Sequence, residues 1–330
     1  MKELILKLAK EIAPSGSERA FQSQLLAEVQ DVADNVHVDT LGNGIARKNG
    51  EGPHIMLAAH ADEPGVMVVD IDDEGFLRLI AVGNLDPKHL LHRQVAFTNG
   101  VRGSIELEEK VKVADATYDH LFVDIGATSK EDALGRVYIG LAGVVVNDVT
   151  ELGERKLVGR ALDNRVGCAV AIQAFRELAA ANRNVTLVFT AQSVVGARGA
   201  RTAAYQIAPD LALIIDAAPA SDVPDGKRTS LKLGGGPAVK IMDGTAIVPI
   251  DVKDHLIETA KKANLTVQYE VWPGGQSDVG SVQLSVDGIR IGGVSYPARY
   301  VGSTQTVVDL QDVEQVLQLT VAAAKTFKQA

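Results

Sequence analysis

Acidic and imidazole side chains follow apolar, strand-like segments of this sequence at three places. His60 and Asp62 end the run HIMLAAHAD, and Asp216 closes the run LALIID. Asp163 lies where a strand or loop meets a helix. Ligands of open α/β sheets bind beyond the carboxyl ends of strands, and imidazole and carboxylate groups are common ligands of zinc in hydrolases. The sequence therefore predicts a metal centre, while helix caps and a buried, hydrogen-bonded histidine are the alternative.

Another apolar strand ends without any carboxylate. The stretch VTLVFTAQSVVGARGA begins as a buried strand at Val185 and ends in a glycine-rich turn. Strand ends of this kind carry functional side chains in α/β proteins, yet this one offers Gln192, Ser193 and Val194. Between Asn182 and Asp216 the only other acid is Asp210, which lies a full helix away. The pattern leaves open whether this strand lost a catalytic role or never had one.

Two alternation patterns predict the elements that position these residues. Residues 1–65 and 156–330 alternate apolar strands with helical spacing, and Ser17 is expected to cap the second helix. Residues 66–155 are short β-like runs between turns, with SKEDALG as a short helix. The predicted fold class is α/β: a sandwich of a mixed, largely parallel sheet between helices, interrupted by a small all-β barrel domain over residues 66–155.

Composition limits the compartment and the partners. The 330 residues are 46% hydrophobic and 23% charged, which is typical of a globular protein, and the formal net charge of −9 argues against nucleic acid as a partner. No run approaches the roughly 20 apolar residues that span a bilayer. The single cysteine, Cys168, cannot form an intrachain disulfide. These features favour a cytoplasmic protein that binds neither nucleic acid nor membranes.

Several motifs extend this interpretation over almost the whole chain. They are APSGSE near the start, AAHADEPGVMV, LVGRALDNRVG, LIIDAAP, GGQSDVGSVQLSVDGI and YPARYVGS. Together they resemble the M42 metalloaminopeptidases, the glutamyl and tetrahedral aminopeptidases, some of which carry endoglucanase labels. The resemblance implies an α/β catalytic domain interrupted by a β-barrel, as the alternation patterns predict. It also implies a cis peptide bond between Asp163 and Asn164.

The resemblance further implies a centre for two metal ions that are bridged by Asp163. One ion is expected at His60, Asp163 and Asp216, with Asp62 orienting His60 from behind. All four of these residues are present. The first of the two metal sites is therefore expected to be complete.

Three positions that serve the other ion and the catalytic step carry different residues. The resemblance places the general-base glutamate at Ser193, a glutamate ligand at Val194 and a late histidine ligand at Gly302. No catalytic residue is then intact, and a positioned base alone contributes roughly 10²–10⁴ in rate. We expect at most one divalent ion, which is zinc, cobalt or manganese, or no ion with protonated carboxylates.

Three functions follow as hypotheses. The first is an M42-type homologue that is inactive or strongly impaired as a peptidase and acts as a binding, scaffold or regulatory subunit. The alternative is a single-metal, aminopeptidase-like hydrolase with low or altered activity. A glycan-acting enzyme is a third, but it lacks the paired acids that glycosidases need.

Expected partners follow from the same resemblance. The barrel domain is expected to mediate a dimer, with a tetrahedral assembly as a larger form and an active paralogue as a candidate partner subunit. The ligand is expected to be a peptide or small molecule. Ser277, Asp278 and Arg299 are expected to line the substrate cleft.

Overall fold

One mixed sheet of eleven strands forms the centre of the molecule. The computed structural model describes residues 1–226 and 228–328. The strands of this sheet are β1 (Asn35–Val38), β2 (Gly44–Lys48), β3 (Glu51–His60), β10 (Thr150–Leu152), β11 (Lys156–Gly159), β12 (Arg183–Thr190), β13 (Leu211–Pro219), β14 (Ala238–Asp243), β15 (Gln268–Trp272), β16 (Ile291–Arg299) and β17 (Thr306–Asp309).

Parallel pairing is concentrated at the centre of this sheet. The strand order is β1-β2-β12-β3-β13-β16-β17-β11-β10, and β14 pairs with both β15 and β16. Strand β3 is parallel to β12 and β13, and β13 is parallel to β16, whereas β2 and β17 join antiparallel. Every residue of β13 is buried, as expected for a strand covered on both faces. The predicted mixed sheet is confirmed, with antiparallel flanks around a parallel centre.

The insertion after β3 closes into an antiparallel barrel. Its strands follow the order β4-β5-β8-β7-β6-β9 around the barrel. They are β4 (Gly65–Ile71), β5 (Leu77–Val82), β6 (Arg93–Phe97), β7 (Arg102–Leu107), β8 (Leu121–Asp124) and β9 (Ala142–Val145). The barrel has a core of its own around Val66, Phe97 and Ile105. This confirms the predicted barrel; β10, which follows it, already belongs to the large sheet, and the exact domain limits stay a prediction.

Helices pack against the sheet and against one another. They are α1 (Lys2–Ala9), α2 (Arg19–Ala27), α3 (Lys130–Leu134), α4 (Leu162–Ala180), α5 (Arg198–Ile207), α6 (Ile250–Lys262), α7 (Asp278–Gln283) and α8 (Leu310–Thr326). Helix α4 lies across β3, β12 and β13. Among the described residues, no helix combines the length and apolar character needed to cross a membrane.

The predicted cap of α2 by Ser17 is wrong. The helix begins at Arg19, Glu18 occupies the cap position, and no side chain caps the helix. Ser17 instead closes a turn, in which its backbone N–H donates to the carbonyl oxygen of Pro14. The Glu18 carboxylate accepts from the backbone N–H of Gly16, 2.8 Å away. The polar residues of APSGSE therefore stabilise a loop rather than a helix terminus.

A buried ionic cluster joins the segment that enters the barrel to the segment between β11 and α4. Glu63 stands just before β4, and Arg160 just after β11. The Glu63 carboxylate accepts from the guanidinium of Arg160 and, at 2.8 Å, from that of Arg165 on α4. All three side chains are buried. Removing one partner of such a cluster leaves uncompensated buried charge.

We predict that Glu63→Gln destabilises the protein strongly. The substitution keeps the side-chain volume but leaves two buried guanidinium groups without their carboxylate, which costs about 3–5 kcal/mol. Urea denaturation followed by circular dichroism measures the change. Glu151→Gln, in an exposed ion pair with Lys2, is the control and should change stability by no more than about 0.5 kcal/mol. Equal effects of the two substitutions would contradict this role of Glu63.

Candidate metal centre

Three elements bring the predicted ligands together at one edge of the sheet. His60 is the last residue of β3, and Asp216 lies on the neighbouring parallel strand β13. Ala58 is paired with Ile214, so His60 and Asp216, each two residues further on, emerge side by side. Asp163 comes from the first turn of α4. The convergence predicted from the strand ends is thus present.

The geometry of the cluster fits a divalent cation. His60 Nε2 lies 3.3 Å from Asp163 Oδ1 and 3.6 Å from Asp216 Oδ1. One donor atom from each of the three residues lies within 4.8 Å of the others. His60 Nδ1 is 3.0 Å from the carbonyl oxygen of Asp62, so Nε2 is the nitrogen that faces the carboxylates. An imidazole and two carboxylates form the donor set that zinc and similar ions use in proteins.

Asp62 is buried behind this cluster and holds its surroundings in place. Its carboxylate accepts from the backbone N–H groups of Ser193 and Val194, each at 3.0 Å, and from the hydroxyl of Ser15. Asp62 Oδ1 also lies 3.5 Å from His60 Nδ1. Burial alone would raise the pKa of Asp62, but the contact with His60 and these hydrogen bonds hold that pKa below its ordinary value. Asp62 therefore remains ionised and fixes the orientation of the histidine.

Asn164 fixes the backbone beside Asp163. The peptide bond between Asp163 and Asn164 is cis, as the resemblance implies. The Asn164 amide donates to the carbonyl oxygen of Ile215 at 2.9 Å, and its oxygen accepts from the hydroxyl of Tyr296 at 2.9 Å. Asn164 accepts a further bond, from the backbone N–H of Gly167. These contacts anchor the first turn of α4 to β13 and β16, and so position Asp163.

The charges of the cluster favour a bound cation or proton. Burial would lower the pKa of His60, but its contacts with Asp163, Asp216 and Asp62 outweigh burial and raise that pKa well above its ordinary value. Burial raises the pKa of Asp163, and the nearby Asp216 charge adds to this effect, while His60 opposes it. The carboxylates thus repel each other until a positive charge lies between them. A metal ion would have to displace the proton that His60 otherwise holds.

Ser193, Val194 and Gly302, to which the resemblance assigns the general base and the second metal site, lie around this centre and carry neither a carboxylate nor an imidazole. Ser193 follows β12, and its hydroxyl donates to Asp278 Oδ1 at 2.8 Å. The Val194 side chain comes so close to Gly83 of the barrel that a Cβ on Gly83 would lie only 3.0 Å from it. Gly302 has a φ of +84°, and the space in front of it is open. Among the described residues, His60, Asp163 and Asp216 are the one group of three His, Cys, Asp or Glu side chains whose donor atoms lie within 4.8 Å of one another.

The three residues predicted for the substrate cleft are engaged in other contacts. Ser277 is buried, and its hydroxyl donates to Asp243. Asp278 is buried beneath Ser193. Arg299 is paired with Asp222. The structure thus brings Asp278 close to the metal centre. Ser277 and Arg299 instead bind the carboxylates of Asp243 and Asp222.

Two residues of the APSGSE motif contribute to the centre, a role that the sequence analysis missed. Ser15 donates to Asp62, and the Glu18 carboxylate accepts from the backbone N–H of Gln192 at 2.9 Å. Burial raises the pKa of Glu18. The motif itself was the available signal, but nothing in its residues connects it with the loop after β12. Through Ser15 and Glu18, the motif holds the loop after β12 close to Asp62 and His60.

A cleft between the barrel and the sheet leads towards the centre. A cavity of about 900 Å³ is lined by the loop after β13, by residues 300–303 and by barrel residues that include Asp86 and His89. A small cavity of about 30 Å³ continues between Gly302 and Asp163. Sites for small ligands usually enclose about 300–1,000 Å³. The large cavity therefore has the size of a small-ligand site, and the small cavity beside it reaches Asp163.

Comparisons with known proteins point to one family. The family model described as M42 glutamyl aminopeptidase matches residues 42–319. A putative aminopeptidase of Acetivibrio thermocellus is 40% identical over 324 residues, which cover 98% of each chain. The lysyl aminopeptidase of Pyrococcus furiosus is 31% identical and covers 99% of this chain and 97% of its own.

Solved structures give the same result. An aminopeptidase from Desulfurococcus kamchatkensis superposes with a TM-score of 0.94 at 35% identity, covering 99% of this chain and 95% of its own. The TET1 peptidase of Pyrococcus horikoshii, which can assemble into a tetrahedron or a large octahedral shell, has a TM-score of 0.90 at 29% identity and covers 98% of both chains.

We predict that the purified protein binds one divalent ion per chain. The carboxylates of Asp163 and Asp216 balance one such ion, and Val194 and Gly302 offer no donor for a second. Elemental analysis after dialysis against zinc, cobalt or manganese measures the stoichiometry. Asp216→Asn should remove the bound ion, whereas the exposed control Asp251→Asn should retain it. Two ions per chain, resolved by anomalous scattering, would overturn this assignment.

Proposed function

Because the chain belongs to the M42 glutamyl aminopeptidase family, we propose that it is an aminopeptidase-like hydrolase that works with a single divalent ion. The observation that carries the proposal is the convergence of His60, Asp163 and Asp216 at one buried point. An ion bound there would polarise the substrate carbonyl or lower the pKa of a water molecule, which is worth several kcal/mol. Zinc, cobalt and manganese all suit these ligands.

The charge balance supports one ion rather than two. Asp163 and Asp216 together neutralise a single divalent cation. A further carboxylate at position 194 would add buried negative charge that only a second ion could offset. Val194 adds none. The family's second metal site, as the resemblance aligns it, is therefore the part that we propose this chain has given up.

The names of the relatives favour an enzyme over an inactive subunit. The proteins from Acetivibrio thermocellus, Pyrococcus furiosus and Desulfurococcus kamchatkensis are each named as aminopeptidases, the first of them putative. An inactive scaffold would have no need to keep the complete ligand set around His60 or the buried support from Asp62. The inactive binding subunit stays a competing hypothesis that a turnover measurement decides.

The substrate that we propose is the N-terminal part of a short peptide or a similar small amide. The cleft between barrel and sheet is large enough for a few residues. Its lining includes Asp86, Asp225 and Arg228, so both signs of charge are available to a peptide terminus. Such a peptide would pass Gly302 to reach the residues that hold the ion. The single cysteine supports the reducing cytoplasm as the working compartment that we propose.

We further propose that the barrel mediates a dimer. Large apolar side chains are exposed on one part of its surface: Val69, Ile80, Leu134, Tyr138 and Ile139. Hydrogen bonding joins the segment that carries Tyr138 and Ile139 to β4, which places most of this barrel patch together. Exposed apolar patches of this kind often mark interfaces. The TET1 relative, which builds larger shells, sets a precedent for further assembly of such dimers.

The barrel patch predicts a dimer, or a multiple of one, at micromolar concentration. Ile139→Glu should produce monomers, because a carboxylate would then be buried in an apolar interface. Light scattering coupled to gel filtration measures the mass. Lys110→Glu, in the β7–β8 loop, introduces the same residue as a control. Monomeric unmodified protein, or no difference between the variants, would count against the barrel interface.

We predict weak turnover that depends on added metal. Aminoacyl-p-nitroanilides should be hydrolysed with zinc, cobalt or manganese more slowly than by a two-metal enzyme, because the contribution of a second ion, worth several kcal/mol, is missing. A chelator should abolish the reaction. Asp163→Asn should abolish it too, while Asp251→Asn leaves it unchanged. Complete absence of turnover with the ion bound would support the inactive binding subunit instead.

Rebuilding the substituted positions tests the alignment with the family. The triple variant Ser193→Glu, Val194→Glu and Gly302→His should bind a second ion and gain activity. Each single change should do neither, because the base and the second ion act as a unit. Histidine at position 302 must adopt a left-handed backbone, although the space in front of Gly302 is open. Equal activity of the Ser193→Glu single variant and the triple variant would contradict this prediction.

A further inference from the structure

The resemblance assigns the general base to the position of Ser193, and the hydroxyl of this serine makes a hydrogen bond to a buried carboxylate. Its Oγ donates to Asp278 Oδ1 at 2.8 Å. Its backbone N–H donates to Asp62, which in turn orients His60. Ser193 is partly exposed, whereas Asp278 beneath it is 2% exposed. The hydroxyl therefore lies between the partly exposed surface of this loop and a buried carboxylate.

The surroundings of the Asp278 carboxylate favour its acceptance of a proton. Its other oxygen accepts from the hydroxyl of Thr190 at 2.5 Å, and Thr190 is paired with His60 across β12 and β3. Burial raises the pKa of Asp278 to about 6. The charge of His60 and the two hydroxyl donors lower this pKa, while the charge of Asp216 raises it. A general base works best when its pKa lies near the working pH.

We propose that Ser193 and Asp278 together form the proton-transfer pair of this enzyme, with Ser193 relaying protons between the attacking water and the buried Asp278 carboxylate. This inference rests on the proposed hydrolase function and names the residues that replace its missing glutamate. A serine side chain is shorter than that of glutamate, so one intervening water molecule completes the path; general bases can act through a single water.

The proton path balances in both directions. In the attack, the water oxygen forms a bond to the substrate carbonyl carbon, and the carbonyl π electrons move to its oxygen. The water proton passes through the intervening water to Ser193 Oγ, while the Ser193 proton passes to Asp278. When the carbon–nitrogen bond breaks, the proton returns along the same path to the leaving amine. No oxidant, reductant or covalent enzyme intermediate is needed.

Four variants of the full-length, metal-loaded chain test the relay. Ser193→Ala and Asp278→Asn should each lower kcat for aminoacyl-p-nitroanilides by about 10²-fold with little change in KM. The double variant should be no slower than the slower single variant, because the two residues act as a unit. Ser193→Thr keeps a hydroxyl and should retain most of the activity. Ser285→Ala, a buried serine that bonds to the carbonyl oxygen of Arg201, is the matched control and should match the unmodified chain.

Two further readouts separate a relay from a structural role. The kcat of the unmodified chain should fall at acid pH, because protonated Asp278 cannot accept a proton, and Asp278→Asn should lose this fall. In the metal-free protein, carbon-13 NMR should show the Asp278 carboxyl titrating near pH 6. That pKa should rise in Ser193→Ala, because the hydroxyl bond favours the charged form.

The outcomes distinguish the relay from the proposed function. Turnover that persists within about twofold in Ser193→Ala, or acyl transfer trapped on Ser193, would overturn the relay and leave the hydrolase standing. Absence of turnover in the unmodified chain with its ion bound would overturn both. If Asp278→Asn fails to fold, the contrast between Ser193→Ala and Ser193→Thr decides: equal losses in these two variants would overturn the relay.

Discussion

The buried Asp62 carboxylate is the contact on which the rest of the site depends. One side chain binds the loop after β12, the N-terminal APSGSE segment and, through the His60 ring, the metal ligands. A buried carboxylate is stable only when its oxygens are fully hydrogen-bonded, and here backbone and hydroxyl donors meet that need. These partners come from three separate parts of the chain. Formation of the contacts of Asp62 therefore brings the parts of the site together.

The barrel is tied to this arrangement by a second buried cluster. Glu63 is adjacent to Asp62 in sequence and binds Arg160 and Arg165, the latter two residues beyond Asp163. The same short segment therefore leads from the metal ligands into the barrel and is bound to the start of α4, which carries Asp163. The entry into the barrel is thus held by buried ion pairs, and the barrel keeps a core of its own.

Sequence reasoning predicted the convergence of His60, Asp163 and Asp216 well and the contacts around it poorly. His60 and Asp216 follow neighbouring parallel strands, whose ends must lie at one edge of the sheet. Asp163 lies in the first turn of α4, and its place beside them was expected from the resemblance. The contacts of Glu18 with Gln192 and of Ser193 with Asp278 join residues far apart in the chain, and no local pattern reports them. The same limit explains Ser17, since capping preferences cannot anticipate a neighbouring side chain recruited by a distant loop.

A metal titration of activity tests the central claim most directly. Metal-free protein receives zinc in steps, and the initial rate on an aminoacyl-p-nitroanilide is recorded together with bound metal at each step. A single-ion hydrolase predicts a rate that rises in proportion to bound metal and reaches its plateau at one equivalent per chain. A rate that stays at zero through full occupancy, or that appears only as a second equivalent binds, would contradict the account.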